Sequence, residues 1–149
     1  RAGGEDAGQG VERETARPDE RPHVAAVFLN RLHDGMRLQS DPTVVYAASD
    51  GAGVLDHRLT RAELETPSAY NTYVVTGLPP GPICAPGLGS IDAVLHPAAS
   101  DDLYFVADGS GGHAFARTLP EHLRNVAHLR ALTAAPAVAP ALPAPGTPQ

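Results

Sequence analysis

Prolines and glycines punctuate this chain densely enough to keep its elements short, each supplying 15 of the 149 residues. A proline inside a helix removes a backbone hydrogen bond and clashes with the preceding turn. Pro67 must therefore end the short helix that Thr60 and Glu63 open as a T-x-x-E capping box. Ser90 likewise caps a brief turn that Pro97 closes. In Gly77-Leu78-Pro79-Pro80-Gly81-Pro82-Ile83 the prolines fix φ at several positions, which makes a stiff loop.

Longer elements fit between these breaks. Val24, Val27, Phe28 and Leu32 recur at helical spacing, Asp19 and Pro22 suit a first turn and Asp34-Gly35 a stop, so a helix is predicted over Glu20 to His33. Thr118 and Glu121 repeat the capping box ahead of a last helix, whose apolar stripe is Leu119, Leu123, Val126, Ala127 and Leu132. The β-branched and aromatic run Tyr73 to Thr76 predicts a strand, and Leu103 to Ala107 with His113 to Arg117 flank a turn at Asp108 to Gly112, predicting a hairpin. The expected fold class is α+β: short helices around a small antiparallel sheet, with the hairpin near Leu103 to Arg117. Residues 1–10 hold four glycines and no large apolar side chain and are expected to be unstructured. Residues 133–149 alternate Pro and Ala without charge, as an extended, disordered tail would.

Charge excludes several functions. All 11 basic residues are arginine, scattered and outnumbered by 17 acidic ones, so there is no footprint for nucleic acid or anionic lipid and a neutral or cationic partner fits better. No apolar run approaches the roughly 20 residues of a membrane helix. Cys84 is the single cysteine, which excludes an internal disulfide; it reads as a small buried hydrophobe. The histidines form no H-E-x-x-H, and His122 and His128 fall on different helix faces, so no metal is expected. The Asp108 to Gly112 turn lacks the Gly-Lys-Ser/Thr of a phosphate loop, and no G-x-S-x-G elbow occurs.

Two stretches stand apart. Leu38-Gln39-Ser40-Asp41-Pro42-Thr43-Val44 breaks an apolar pattern with a polar turn, and Tyr70-Asn71-Thr72-Tyr73 places phenols and an amide beside the proline loop. A rigid wall of tyrosines and neutral amides suits a sugar-binding groove, though it also describes a stiff structural loop with satisfied polar groups. The charged run Val11-Glu12-Arg13-Glu14-Thr15 reads as a solvated face; in a helix, only one of Glu12 and Glu14 faces a groove.

Taken in order, several segments resemble the endolytic murein transglycosylases, the YceG-like family. They are V-E-R-E-T at Val11 to Thr15, E-R-P-H-V-A-A-V-F-L-N-R-L at Glu20 to Leu32 and G-M-R-L-Q-S-D-P-T-V-V-Y at Gly35 to Tyr46. L-T-R-A-E-L at Leu59 to Leu64, Y-N-T-Y at Tyr70 to Tyr73, G-L-P-P-G-P-I at Gly77 to Ile83 and the L-Y-F-V-A-D-G and G-G-H-A-F runs within Leu103 to Phe115 follow. Each segment is weak alone, and the ordered set, spanning Val11 to Leu132, is specific.

The resemblance implies a cell-wall lyase that cuts glycan strands between N-acetylmuramic acid and N-acetylglucosamine, leaving 1,6-anhydromuramyl ends. It places the catalytic acid on Glu14, and Gln39, Asp41, Tyr70, Asn71 and Tyr73 along the substrate cleft. One carboxyl suffices for such chemistry, giving a proton to the leaving oxygen and then taking one from the muramyl C6 hydroxyl, and its pKa is expected to be raised toward ~6. The helix Glu20 to His33 is expected to supply an apolar wall. Residues 11–132 would be the catalytic domain, with an N-terminal membrane anchor and a small LysM-like subdomain of the parent lying outside this chain, so that the parent sits in the inner membrane with its catalytic domain outside the cytoplasm. Glycan strands are the expected partner, with cell-wall synthases as further ones. The alternative is a remnant that binds glycan without cutting it. No cofactor is expected; the chain has no lysine, which excludes a pyridoxal phosphate Schiff base.

Overall fold

The computed structural model describes residues 2–134 and gives the expected α+β class. Six helices, α1 (Ala2–Glu14), α2 (Arg21–His33), α3 (Asp41–Ala48), α4 (Arg61–Glu65), α5 (Leu88–Leu95) and α6 (Leu119–Ala134), surround a two-stranded antiparallel sheet of β1 (Tyr104–Ala107) and β2 (His113–Ala116). None of these helices is long and apolar enough to cross a membrane. The expected proline-rich tail lies, from residue 135 on, outside the described residues, while Thr133 and Ala134 belong to α6.

The main correction is at the N-terminus. The glycine-rich stretch expected to be unstructured is helical from Ala2 and continues unbroken through Glu14. Its glycines serve tertiary packing: a Cβ on Gly8 would lie 3.6 Å from the Ile91 Cα of α5, and one on Gly10 would lie 3.0 Å from the Phe28 ring. With no side chains there, α1 lies close against α2 and α5, and Ala7 and Val11 join Val24, Ala25, Phe28, Leu38, Ala93 and Val94 in one core. The buried Gln9 amide oxygen accepts from the backbone N–H of Ile83 at 2.6 Å and fastens the proline loop to α1.

Locally encoded elements form as read. α2 has its proline in the first turn and ends before Gly35, whose φ of +67° suits glycine. Both capping boxes form, at Thr60 with Glu63 and at Thr118 with Glu121. In the hairpin Tyr104 pairs with Ala116 and Ala107 with His113, while Asp108 Oδ1 accepts from Ser110 N–H at 2.7 Å to shape the turn.

Other readings are corrected. Tyr73 to Thr76 is not a strand: the Asn71 carbonyl accepts from the N–H groups of Val74 and Val75, and Asn71 Oδ1 from that of Tyr73, so the backbone is folded into turns. α5 is capped by Gly87, and Ser90 is buried inside the helix. No residue of α6 is fully buried, and Leu119, Leu123 and Leu132 of its stripe are about half exposed. Cys84 is only half-buried, its thiol donating weakly to the Gln9 carbonyl.

Candidate active site

The two glutamates of the V-E-R-E-T run have opposite fates. Glu12 turns to α5, where its Oε2 accepts from the Ser90 hydroxyl at 2.6 Å and the Gly87 N–H at 3.1 Å; these donors hold its carboxyl below the ordinary range. Glu14, on the other side of the last turn of α1, is partly buried, and its Oε1 accepts from the Ser40 hydroxyl at 2.6 Å. Burial pushes Glu14 up to about 7, the nearby Asp41 charge adds to the rise, and the Ser40 bond and His113 oppose it. Two carboxyls two residues apart thus sit in distinct environments, one lowered by its donors and the other raised by burial.

Ser40 is placed by a web of buried hydroxyls. Its N–H donates to Thr72 Oγ1 at 3.0 Å, its carbonyl accepts from Thr43 Oγ1 at 2.7 Å, and the Thr43 and Thr72 hydroxyls meet at 2.8 Å. Gln39 N–H donates to the Thr72 carbonyl at 3.1 Å. Ser40, Thr43 and Thr72 are almost fully buried, so the web resists water and locks the Gln39 to Asp41 turn against the Tyr70 to Tyr73 turn. Gln39 takes a φ of +53°, unusual for a residue with a side chain, and its Oε1 accepts from Arg31. The Arg31 guanidinium, buried on α2, also donates to the carbonyls of Arg37, Leu38 and Leu103, tying this turn to β1.

Two depressions meet at this point. A cleft of about 470 Å³ runs along Glu14, Arg31, Gln39, Asp41, Tyr73, Phe105 and His113, with His122 and Val126 of α6 on its far wall. A second of about 280 Å³ is lined by Arg13, Glu14, Asp41, Pro42, Val45, Gly53 and Ile83. Glu14 and Asp41 border both. The Tyr73 phenol donates to Asp41 Oδ1 at 2.6 Å. The apolar wall expected from the helix Glu20 to His33 comes instead from Leu38, the hairpin residues Phe105, Val106 and Ala107, and Val126; α2 contributes Arg31 to the cleft.

Of the residues singled out in the sequence, the structure brings Glu14, Gln39, Asp41 and Tyr73 together and leaves Tyr70 and Asn71 outside. Asn71 is buried, its amide donating to the carbonyls of Glu63, Leu64 and Thr66 at the end of α4. Tyr70 packs on Tyr46, ring centroids 4.9 Å apart. Sequence reading did not single out Ser40, Arg31 or His113. His113 lines the cleft with its Nδ1 2.8 Å from Glu20 Oε2, and Glu20 Oε1 accepts from the His113 N–H. Burial would raise Glu20, yet the His113 donors outweigh it and hold the carboxyl below its ordinary value. Ser40, Arg31 and His113 each sit inside a segment quoted for the family resemblance, Q-S-D-P, the Glu20 to Leu32 run and G-G-H-A-F, so those motifs were their available signal.

A Ser-His-Asp cluster at Ser100, His23 and Asp102 is not a nucleophilic triad. Serine and carboxylate both meet His23 Nε2, at 3.1 and 2.7 Å, so the ring has no separate nitrogen for each role. It clamps the 98–102 loop to α2, helped by Asn30 donating to the carbonyls of Ser100 and Asp102. Among the described residues no group of three or more His, Cys, Asp or Glu side chains is arranged to hold a metal.

Fold and site together define an α+β domain whose open groove carries one partly buried carboxyl of raised pKa beside an exposed one. The YceG-like family model matches residues 11–128. The chain belongs to the YceG-like family. It is 46% identical over 112 residues to the endolytic murein transglycosylase of Bacillus subtilis, covering 75% of this chain and 30% of that protein. It is 40% identical over 123 residues to the protein of that name from Streptococcus pneumoniae, covering 78% and 22%. The crystal structure of a YceG-like protein from Listeria monocytogenes superposes with a TM-score of 0.72 at 44% identity, covering 78% of this chain and 37% of that one. The chain thus spans less than a third of the length of either curated relative.

Proposed function

We propose that residues 11–132 form the catalytic domain of an endolytic murein transglycosylase, cleaving peptidoglycan strands between N-acetylmuramic acid and N-acetylglucosamine to leave 1,6-anhydromuramyl ends. The observation that carries the reading is Glu14: a carboxyl whose pKa is pushed up to about 7, at the junction of two open depressions. An acid with a pKa near ambient pH holds its proton for transfer yet releases it readily, as general catalysis requires. The names of the Bacillus and Streptococcus relatives supply the substrate class.

The chemistry follows from one carboxyl. Glu14 donates its proton to the glycosidic oxygen as the C1–O bond breaks and the bonding electrons pass to that oxygen. The muramyl C6 hydroxyl then closes on C1, and its proton returns to Glu14. No water is consumed, so both carboxyls need not flank a nucleophilic water as they do in inverting glycosidases. Depressions on either side of the acid suit a strand that continues past the cut in both directions. In the longer parent we place this domain outside the cytoplasm, held by an inner-membrane anchor and within reach of cell-wall synthases.

Digestion of purified glycan strands with this chain, followed by chromatography and mass analysis, tests the reading. Fragments of intermediate length ending in anhydro sugars support it. Reducing ends, stepwise loss from one terminus, or binding without products overturn it.

A further inference from the structure

We propose that Asp41 is a second catalytic carboxyl, an anion that stabilises the positive charge developing on the sugar at C1 while Glu14 moves the proton. The proposal rests on the transglycosylase reading and adds to it a group that the single-carboxyl scheme leaves without a role.

Placement argues first. Among the described residues, Asp41 is the one besides Glu14 that borders both depressions, so a sugar ring spanning their junction meets both carboxyls. It is also exposed, and therefore open to a ligand, whereas Glu14 is partly buried behind it.

Chemical environment argues second. Glu14 is held by Ser40 from the buried hydroxyl web, and burial raises its pKa to about 7. Asp41 opens α3, where an acidic side chain interacts favourably with the helix N-terminus. The Tyr73 phenol donates to it at 2.6 Å, and burial followed by that bond pushes the phenol's own pKa up, so Tyr73 remains a donor. The Gln39 N–H donating to the Thr72 carbonyl and the Tyr73 N–H donating to Asn71 Oδ1 fix donor and acceptor before substrate arrives. A fixed negative group in a recessed cleft acts most strongly where charge appears only in the transition state.

The step balances without a bond to Asp41. The C1–O electrons leave with the glycosidic oxygen, which takes the Glu14 proton; C1 and the ring oxygen share the positive charge opposite Asp41. The C6 oxygen then supplies the electron pair for the new bond at C1 and gives its proton to Glu14. Asp41 ends as it began.

The test is the kinetics of Asp41→Asn on purified strands, read as kcat, KM and pH profile, with folding checked by circular dichroism. A kcat about 10²-fold lower with little change in KM is expected. The charged and titratable groups sharing the main cleft with Glu14 are Asp41 of α3, Arg31 of α2, Tyr73, His113 of β2 and His122 of α6, with Arg13 in the second depression. The Asp41 charge raises Glu14, so the variant also moves the alkaline limb of kcat/KM to lower pH. Tyr73→Phe, which keeps the carboxylate and removes its donor, moves that limb the other way, and this arm stands even if Asp41→Asn folds poorly. A kcat within threefold of wild type, a change confined to KM, or unmoved limbs in both variants overturns the proposal while the Glu14 reading stands. A fully active Glu14→Gln overturns both.

Discussion

The Ser40 hydroxyl donates to the Glu14 carboxyl at 2.6 Å, joining the end of α1 to the turn before α3 across 26 residues of sequence. Ser40 is itself immobilised by Thr43 and Thr72, so one buried web holds the donor that positions the acid. This bond opposes the burial that raises Glu14. Ser40→Ala therefore moves the alkaline limb of kcat/KM to higher pH, because Glu14 then keeps its proton longer. Rates measured across the neutral range check the direction; a limb moved to lower pH would contradict it.

The raised Glu14 also weakens the fold at high pH. Its carboxyl titrates near 4.5 when unfolded and near 7 in the native state. Below both values the proton is bound in either state and nothing is lost. As pH rises from the lower to the upper value, the unfolded chain ionises first and the native state loses up to about 3 kcal/mol. Glu14→Gln keeps the acceptor for Ser40 and cannot ionise. Thermal melts should show the variant above wild type by several degrees at about pH 8 and equal to it at about pH 4.

Asn71 serves the site from outside it. Its amide satisfies three carbonyls at the end of α4 and its oxygen holds the Tyr73 N–H. Asn71→Ala removes the side-chain donor to the Leu64 and Thr66 carbonyls and the acceptor for the Tyr73 N–H, the Glu63 carbonyl keeping the Thr66 N–H, and costs about 2 kcal/mol. Urea denaturation checks the cost, and a loss below ~0.5 kcal/mol would contradict the assignment.

The α1 glycines differ in what surrounds them. At Gly8 an added Cβ meets Ile91 at ordinary contact distance, so Gly8→Ala gains helix propensity and stabilises by about 0.5–1 kcal/mol. At Gly10 it meets the Phe28 ring at 3.0 Å, so Gly10→Ala strains the core and destabilises by about 1 kcal/mol or more. Opposite shifts in melting temperature from two like substitutions in one helix are the expected result.

Legibility followed the range of the interactions. The capping boxes and the Asp108 turn need only neighbours within four residues, and they form as read. The glycines of α1 were misread because their reason lies in α5 and Phe28, far along the chain. The Tyr73 to Thr76 strand failed because Asn71 engages its backbone, and α6 stays exposed because, among the described residues, it packs on the small hairpin alone. In the site, the Q-S-D-P and Y-N-T-Y runs were visible as unusual, and the structure joins them. That Asn71 braces α4 while Ser40 touches the acid depends on side-chain directions that spacing does not fix.

The most direct test of the account compares the ends left on purified glycan strands by this chain and by its Glu14→Gln variant, read by mass. Anhydromuramyl ends from the wild type and none from a folded variant are predicted. Equal yields from the two proteins, or reducing ends from the wild type, would contradict the role assigned to Glu14.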